Sequence, residues 1–245
     1  CTSVANLCLM RPLIQVTTVE LYPLLAIVGL VGGFLAGWVG LGGGIILAPL
    51  LLFVPPAVGL EPLDMKEVAR LTIIQSLCST AAAGISHRRA RLVHGPLVVW
   101  MGGFIAVAGL SGALMSETCV ISSQVLLALF ATMALVAAVL MLRQPVNQEE
   151  CDLLPKSPLP FFRGRATIVA VSVGFFGGMV GQSGAFLTIP LLVQTLRLPV
   201  RLAIGSSLGV TFCAALAGSF GKLLGGGPVV WQQIAALVAG SLAGS

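Results

Sequence analysis

Long apolar runs alternate with short polar punctuation along this chain. Residues 1–19 are mixed and show no period. Residues 20–54 are then almost wholly apolar. A straight helix of that length would reach about 52 Å, against a hydrocarbon core of about 30 Å. The run must fold back or continue as two pieces, and the glycines of Leu41-Gly42-Gly43-Gly44 supply a break in its middle. Later apolar runs predict helices over 66–87, from Pro96 to about Met115, over 120–142, over 201–224 and from Trp231 onward. Residues 166–196 read as a second broken segment, interrupted at Gln182-Ser183-Gly184-Ala185. Polar residues fall between the runs: Glu61 and Asp64, the cluster His87-Arg88-Arg89-Ala90-Arg91, Glu117, and the stretch 143–165 with Glu149, Glu150 and Asp152.

The two broken segments match each other. Gly33, Gly37, Gly40, Gly43 and Pro49 reappear as Gly174, Gly178, Gly181, Gly184 and Pro190, all at an offset of 141. The helices that follow match at an offset of 134, which sets Thr72 against Ser206, Ser79 against Cys213 and Arg88 against Lys222. An internal duplication explains this better than chance. The expected organisation is an all-α, polytopic membrane protein of two pseudo-repeats. Each repeat has a broken, re-entrant hairpin-like segment followed by transmembrane helices. Residues 1–19 form an N-terminal tail, 20–142 the first repeat, 143–165 a polar cytoplasmic linker and 166–245 the second repeat. The second repeat has one span fewer after its break, so a last helix is expected to be missing from it. The chain opens on Cys rather than Met, so the native N-terminus is expected to be missing too.

Composition supports the membrane reading. The chain has 245 residues, 57% hydrophobic and 9% charged, with a mean hydropathy of +1.06; a soluble domain carries about 25% charged residues. The net charge of +5 would suggest nucleic acid in a soluble protein. Here the basic residues sit in short loops and set orientation. Arg88, Arg89, Arg91 and the linker's Arg143, Lys156, Arg163 and Arg165 read as cytoplasmic. If the broken segments are hairpins, Arg197 and Arg201 join them, and Arg11, Lys66, Arg70 and Lys222 lie outside. If each broken segment crosses once, Arg11 and Lys222 go inside and Arg197 and Arg201 go outside. The two schemes divide the basic residues equally, so charge does not choose. The short pieces around the second break favour hairpins. The six cysteines lack CxxC or metal spacing, and no cofactor or metal is implied. Multi-pass insertion in a bacterial-type cell membrane is expected, or in a plastid or endomembrane if the source is eukaryotic.

A break inside a membrane segment exposes helix ends. The residues after it begin a half-helix with free N–H groups and a partial positive charge, which suits an anion. Paired interruptions in two halves are the expected pointer to a transport site. The competing explanation is close helix packing through small residues. The candidate site comprises Gly42, Gly43 and Gly44 from the first break and Gln182, Ser183 and Gly184 from the second. Thr72, Gln75, Ser76 and Ser79 recur at i, i+3, i+4 and i+7 on one helical face, and Ser206, Ser207 and Thr211 are their counterparts. Neutral donors bind an anion loosely enough to release it. Each hydroxyl has the alternative of bonding to its own helix. All eight acidic residues fall in loops or at span ends, so no buried acid is expected to carry a coupling proton.

Gly33 to Leu50, repeated at Gly174 to Leu191, resembles the TauE/SafE sulfite exporter family. The elements Val68-Ala69-Arg70-Leu71-Thr72 and Leu202-Ala203-Ile204-Gly205-Ser206-Ser207-Leu208 resemble the family's Ala-Val-x-Thr-Ser-Leu element. The resemblance covers residues 20–245. It implies a secondary transporter for small sulfur oxyanions, sulfite or sulfonates such as sulfoacetate, working as an exporter. Its partners would be that anion and the lipid bilayer, with no nucleic acid; whether it forms a homodimer stays open. Gln182-Ser183-Gly184-Ala185 departs from the family's usual glycine run, which points toward a different cargo. An anion channel is the alternative. Gly181-Gln182-Ser183-Gly184 also resembles the serine motif of rhomboid intramembrane proteases, but that chemistry needs a histidine base beside Ser183. A metal-ion carrier would need an intramembrane cluster of Asp, Glu or His.

Overall fold

The computed structural model describes residues 22–35, 44–89, 95–117, 121–142, 163–196, 200–226 and 231–244. Among these residues the fold is all helical: α1 (Tyr22–Leu35), α2 (Gly44–Ala57), α3 (Met65–Arg89), α4 (Gly95–Glu117), α5 (Ser123–Leu142), α6 (Arg163–Val180), α7 (Ala185–Leu196), α8 (Val200–Leu224) and α9 (Trp231–Gly244). α4, α5 and the Leu202–Leu224 part of α8 are long and apolar enough to cross a membrane. Their outward residues are oily: Val99, Val107, Leu135 and Leu142 are all exposed. Lipid, not water, suits that surface, and the chain is an integral membrane protein.

Glycines bring the central helices into backbone contact. A Cβ at Gly178 would collide with the Gly109 backbone, one at Gly112 with Phe175, and one at Gly174 with Ile105. α4 and α6 therefore touch main chain to main chain, as small residues allow in membranes. α8 adds Gly209 against Val98 and Gly221 against Ala113 and Leu110. For Gly174 and Gly178, two of the repeated glycines, close packing is thus the role the structure gives. Gly33 packs likewise against Ser241 of α9.

These contacts fix directions. Trp100 and Thr167 bond near the starts of α4 and α6 (3.1 Å), and Gly112 meets Phe175 further on, so the two helices run parallel. α8 runs with them, since Gly209 meets Val98 and Gly225 meets Glu117. Arg70, near the start of α3, pairs with Glu117 at the end of α4, so α3 runs the opposite way. Near the end of α7, Gln194 donates to the Leu140 carbonyl at the end of α5. α7 thus returns to the end from which α6 set out. α1 runs parallel to α9, with Tyr22 donating to Gln232 (2.7 Å) and Gly29 beside Leu237. The α1–α2 and α6–α7 units consequently enter from opposite ends. Arg70 and Lys222 share Glu117, so they lie at one end. This agrees with the hairpin arrangement of basic residues and not with the single-crossing one.

Candidate functional site

The second break is built by the C-terminus of α6. Gly181 has φ +76°, a left-handed position that glycine takes without penalty. The Gln182 N–H then reaches the Gly177 carbonyl (2.8 Å) and the Gly181 N–H reaches the Gly178 carbonyl (3.3 Å). This is a Schellman cap, which satisfies carbonyls left over at a helix end. Gly184, at φ +70°, turns the chain again, and a Cβ there would strike Val173. α7 begins at Ala185, and its first N–H groups have no carbonyl one turn back within the helix. Pro190 stands at the sixth residue of α7, as Pro49 does in α2. A proline removes a helical donor, so both half-helices are loosened one turn beyond their starts.

The start of α2 meets the second break. A Cβ on Gly44, the first residue of α2, would collide with the Gln182 side-chain oxygen and come within 3.3 Å of Ser76 Oγ. The start of α2, the second break and the middle of α3 thus share one small space. The polar atoms there are deeply buried: Gln182 is 1% exposed and Ser76 0%. Among the described residues four buried side-chain polar atoms lack a partner: Ser76 Oγ and Gln182 Nε2 belong to residues of this space, and Gln75 Oε1 is on the residue next to Ser76 in α3. An unsatisfied buried polar group costs about 1–3 kcal/mol, so their concentration at one place points to a missing partner.

The other predicted residues divide. Gln75 donates to Ser79 Oγ (2.7 Å). Thr72 Oγ1 lies 2.8 Å from the Val68 carbonyl of its own helix and 3.0 Å from the Gly181 carbonyl, which ties α3 to the second break. Ser207 donates to Ile204 O (2.8 Å) and Thr211 to Ser207 O (2.7 Å). These hydroxyl protons are spent on their own helix, which weighs against Ser207 and Thr211 as anion donors. Ser206 is fully buried, and Ser183 and Gly184 line the turn. Gly42 and Gly43 lie outside the described residues. His87 is in the last turn of α3, ~22 Å along its axis from Thr72, and His94 lies outside the described residues. No metal-holding cluster of His, Cys, Asp and Glu occurs among the described residues.

One constellation escaped the sequence reading. Glu117 is not a loop residue but the last residue of α4, and its side chain is only 4% exposed. Arg70 from α3 bonds to it at 2.5 Å and Lys222 from α8 at 3.2 Å. Lys222, 1% exposed, also donates to Ser116 Oγ (2.6 Å) and to the Met179 carbonyl in the last turn of α6 (3.3 Å). Sequence alone places all three groups at helix ends, where long side chains ordinarily snorkel to water. Their burial depends on how closely α4 and α8 approach.

Comparison with known proteins adds to this geometry. The family described as Sulfite exporter TauE/SafE matches residues 25–245. The probable membrane transporter protein YunE of Bacillus subtilis is 26% identical over 236 residues, covering 90% of this chain and 84% of the relative. The probable membrane transporter protein MJ0441 of Methanocaldococcus jannaschii is 27% identical over 199 residues, covering 81% and 71%. A probable membrane transporter protein of Xylella fastidiosa is 31% identical over 183 residues, covering 74% and 65%. No solved structure matches.

Proposed function

We infer a cargo and a direction for a chain that belongs to the sulfite exporter TauE/SafE family and is a membrane transporter. The cargo is a small sulfur oxyanion, sulfite or a sulfonate such as sulfoacetate, and the direction is export. The anion sits between the two breaks, against the starts of α2 and α7. The observation that carries this reading is the meeting of Gly44, Ser76 and Gln182 around unpartnered buried atoms. Ser76 Oγ and Gln182 Nε2 each have a proton to give, and the half-helix starts add backbone donors. Meanwhile the α6 carbonyls at the break are already taken by Gln182 N, Gly181 N and Lys222. Ser76 and Gln182 keep donors to spare while the Gly177, Gly178 and Met179 carbonyls are engaged; Gln75 Oε1 is an acceptor without a partner among the described residues, but the balance beside Gly44 favours an anion over a cation.

Two pseudo-repeats of inverted topology, 20–142 and 166–245, fit the opposite entry of the α1–α2 and α6–α7 units, with the 143–165 linker cytoplasmic by the positive-inside rule. Glu117 is committed to Arg70 and Lys222, and the other carboxylates among the described residues, Glu61, Asp64 and Glu67, are exposed. Export is therefore driven by the membrane potential, worth about 2.3 kcal/mol per charge per 100 mV. The test is counterflow in liposomes holding the purified chain, with pH and potential clamped. Labelled sulfite or sulfoacetate should exchange for unlabelled anion, and Gln182→Ala should weaken the exchange. Flux without counterflow would make the protein a channel, and obligate proton antiport would remove the potential-driven scheme.

A further inference from the structure

A break in a helix sets two opposite poles close together. The end of α6 presents carbonyls, equivalent to about half a negative charge, and the start of α7 presents N–H groups of the opposite sign. An anion at the second break is drawn to one pole and repelled by the other. Hydrogen bonds alone do not remove that repulsion. The Gly177 and Gly178 carbonyls are bonded by neutral N–H groups, and Gly181 O faces the Thr72 hydroxyl. Among the described residues the Met179 carbonyl is the one at this end that receives a full charge, from Lys222 Nζ at 3.3 Å.

That ammonium is held in place at some cost, since burying a charge is expensive unless it is paired and bonded. Glu117 at 3.2 Å and Ser116 at 2.6 Å supply the partners. Among the described residues the cluster does not balance, however. Glu117 already has a 2.5 Å partner in Arg70, so two cations share one carboxylate. An ion lock between α3 and α4 is complete with Arg70 and Glu117. Lys222 adds a surplus positive charge, and the one backbone group that it touches is the carbonyl end facing the break.

We propose that Lys222 is a positioning residue for the anion: its ammonium caps the C-terminal end of α6, cancels the negative pole there and so sets the affinity of the second break for negative cargo. This rests on the reading that the breaks hold an anion. Lys222 itself does not touch the cargo.

Lys222→Gln tests it. The amide keeps hydrogen-bonding capacity toward Ser116 and Met179, leaves Arg70 and Glu117 paired one to one, and removes only the surplus charge. Counterflow is measured for a monoanion, methanesulfonate, and for sulfite held as its dianion, alongside the thermal midpoint. KM should rise about tenfold for the monoanion and about a hundredfold for the dianion, because the lost interaction scales with cargo charge. Lys222→Arg should restore both. A purely structural lysine would lower the thermal midpoint and the amount of active carrier but raise both KM values equally or not at all, and that result overturns the proposal. If Lys222→Gln does not assemble, Lys222→Met, which keeps the length of the side chain and the Arg70–Glu117 pair while removing the charge, is read by the same split between monoanion and dianion. A wild-type chain that exchanges no anion overturns the proposal together with the reading beneath it. A wild type that exchanges anions while the variants keep both KM values overturns the proposal alone.

Discussion

Gly44 matters for what it lacks. With no side chain, it lets the Gln182 amide and the Ser76 hydroxyl share the space at the start of α2. Gly44→Ala should push the flexible Gln182 head aside rather than move backbone. The expected result is an anion KM raised about tenfold or more, the equivalent of one lost hydrogen bond to a charged group, with a thermal midpoint close to wild type. Counterflow and a melting curve on the same preparation check this. Gln182→Glu should be worse, because a carboxylate replaces a donor and repels the cargo; exchange that survives it unchanged would move the site elsewhere. Much of this was legible in the sequence. The glycine spacing pointed to the second break, which Gly181 and Gly184 shape, and the i, i+3, i+4 pattern pointed to Gln75 and Ser76. What was not legible is which hydroxyls remain available. Ser207 and Thr211 look like Ser76 on paper, yet they bond their own helix. Lys222 was missed for a related reason: its burial is a property of three helices, not of its neighbours in the chain.

Among the helices, the repeated glycines serve two purposes that the sequence could not separate. Gly181 and Gly184 shape a turn at positive φ, whereas Gly174, Gly178 and Gly33 let helices touch. Gly178→Ala or Gly112→Ala should force α4 and α6 apart. Overpacking of this kind costs about 1–3 kcal/mol, so the prediction is a lower thermal midpoint in detergent with little change in KM for molecules that remain folded. Gly181→Ala should do more, because the new methyl group meets both an unfavourable φ and the Ala69 backbone. Helix positions themselves were readable from the apolar runs to within a few residues. α3 is the least obvious span: it is long, yet it is absent from the helices apolar enough to cross on composition. Its polar face looks inward to the site, so burial in protein replaces contact with lipid.

For the whole molecule, the proposed arrangement turns on the α1–α2 and α6–α7 units entering from opposite ends. Charge counting left this undecided, because each scheme splits the basic residues alike. The shared partner Glu117 favours hairpins by holding Arg70 and Lys222 together. In a chain cleared of its other cysteines, Asn147→Cys and Leu198→Cys should be labelled by an impermeant thiol reagent from one side of the membrane, and Glu61→Cys from the other. Labelling of Leu198→Cys together with Glu61→Cys would mean that the second broken segment crosses. The cargo, by contrast, was never legible in the pattern of residues; the proposed anion rests on the donors beside Gly44, and sulfur enters through the family.

The proposed anion position, between the start of α2 and the second break, can be tested directly. Selenite, the heavier congener of sulfite, can be located by its anomalous scattering in crystals of the full chain. A selenium peak is expected within hydrogen-bonding reach of Ser76 Oγ and Gln182 Nε2, next to the Gly44 backbone, and should be lost in Gln182→Ala. A selenium peak elsewhere in a transport-competent protein, with the space beside Gly44 unfilled, would contradict it.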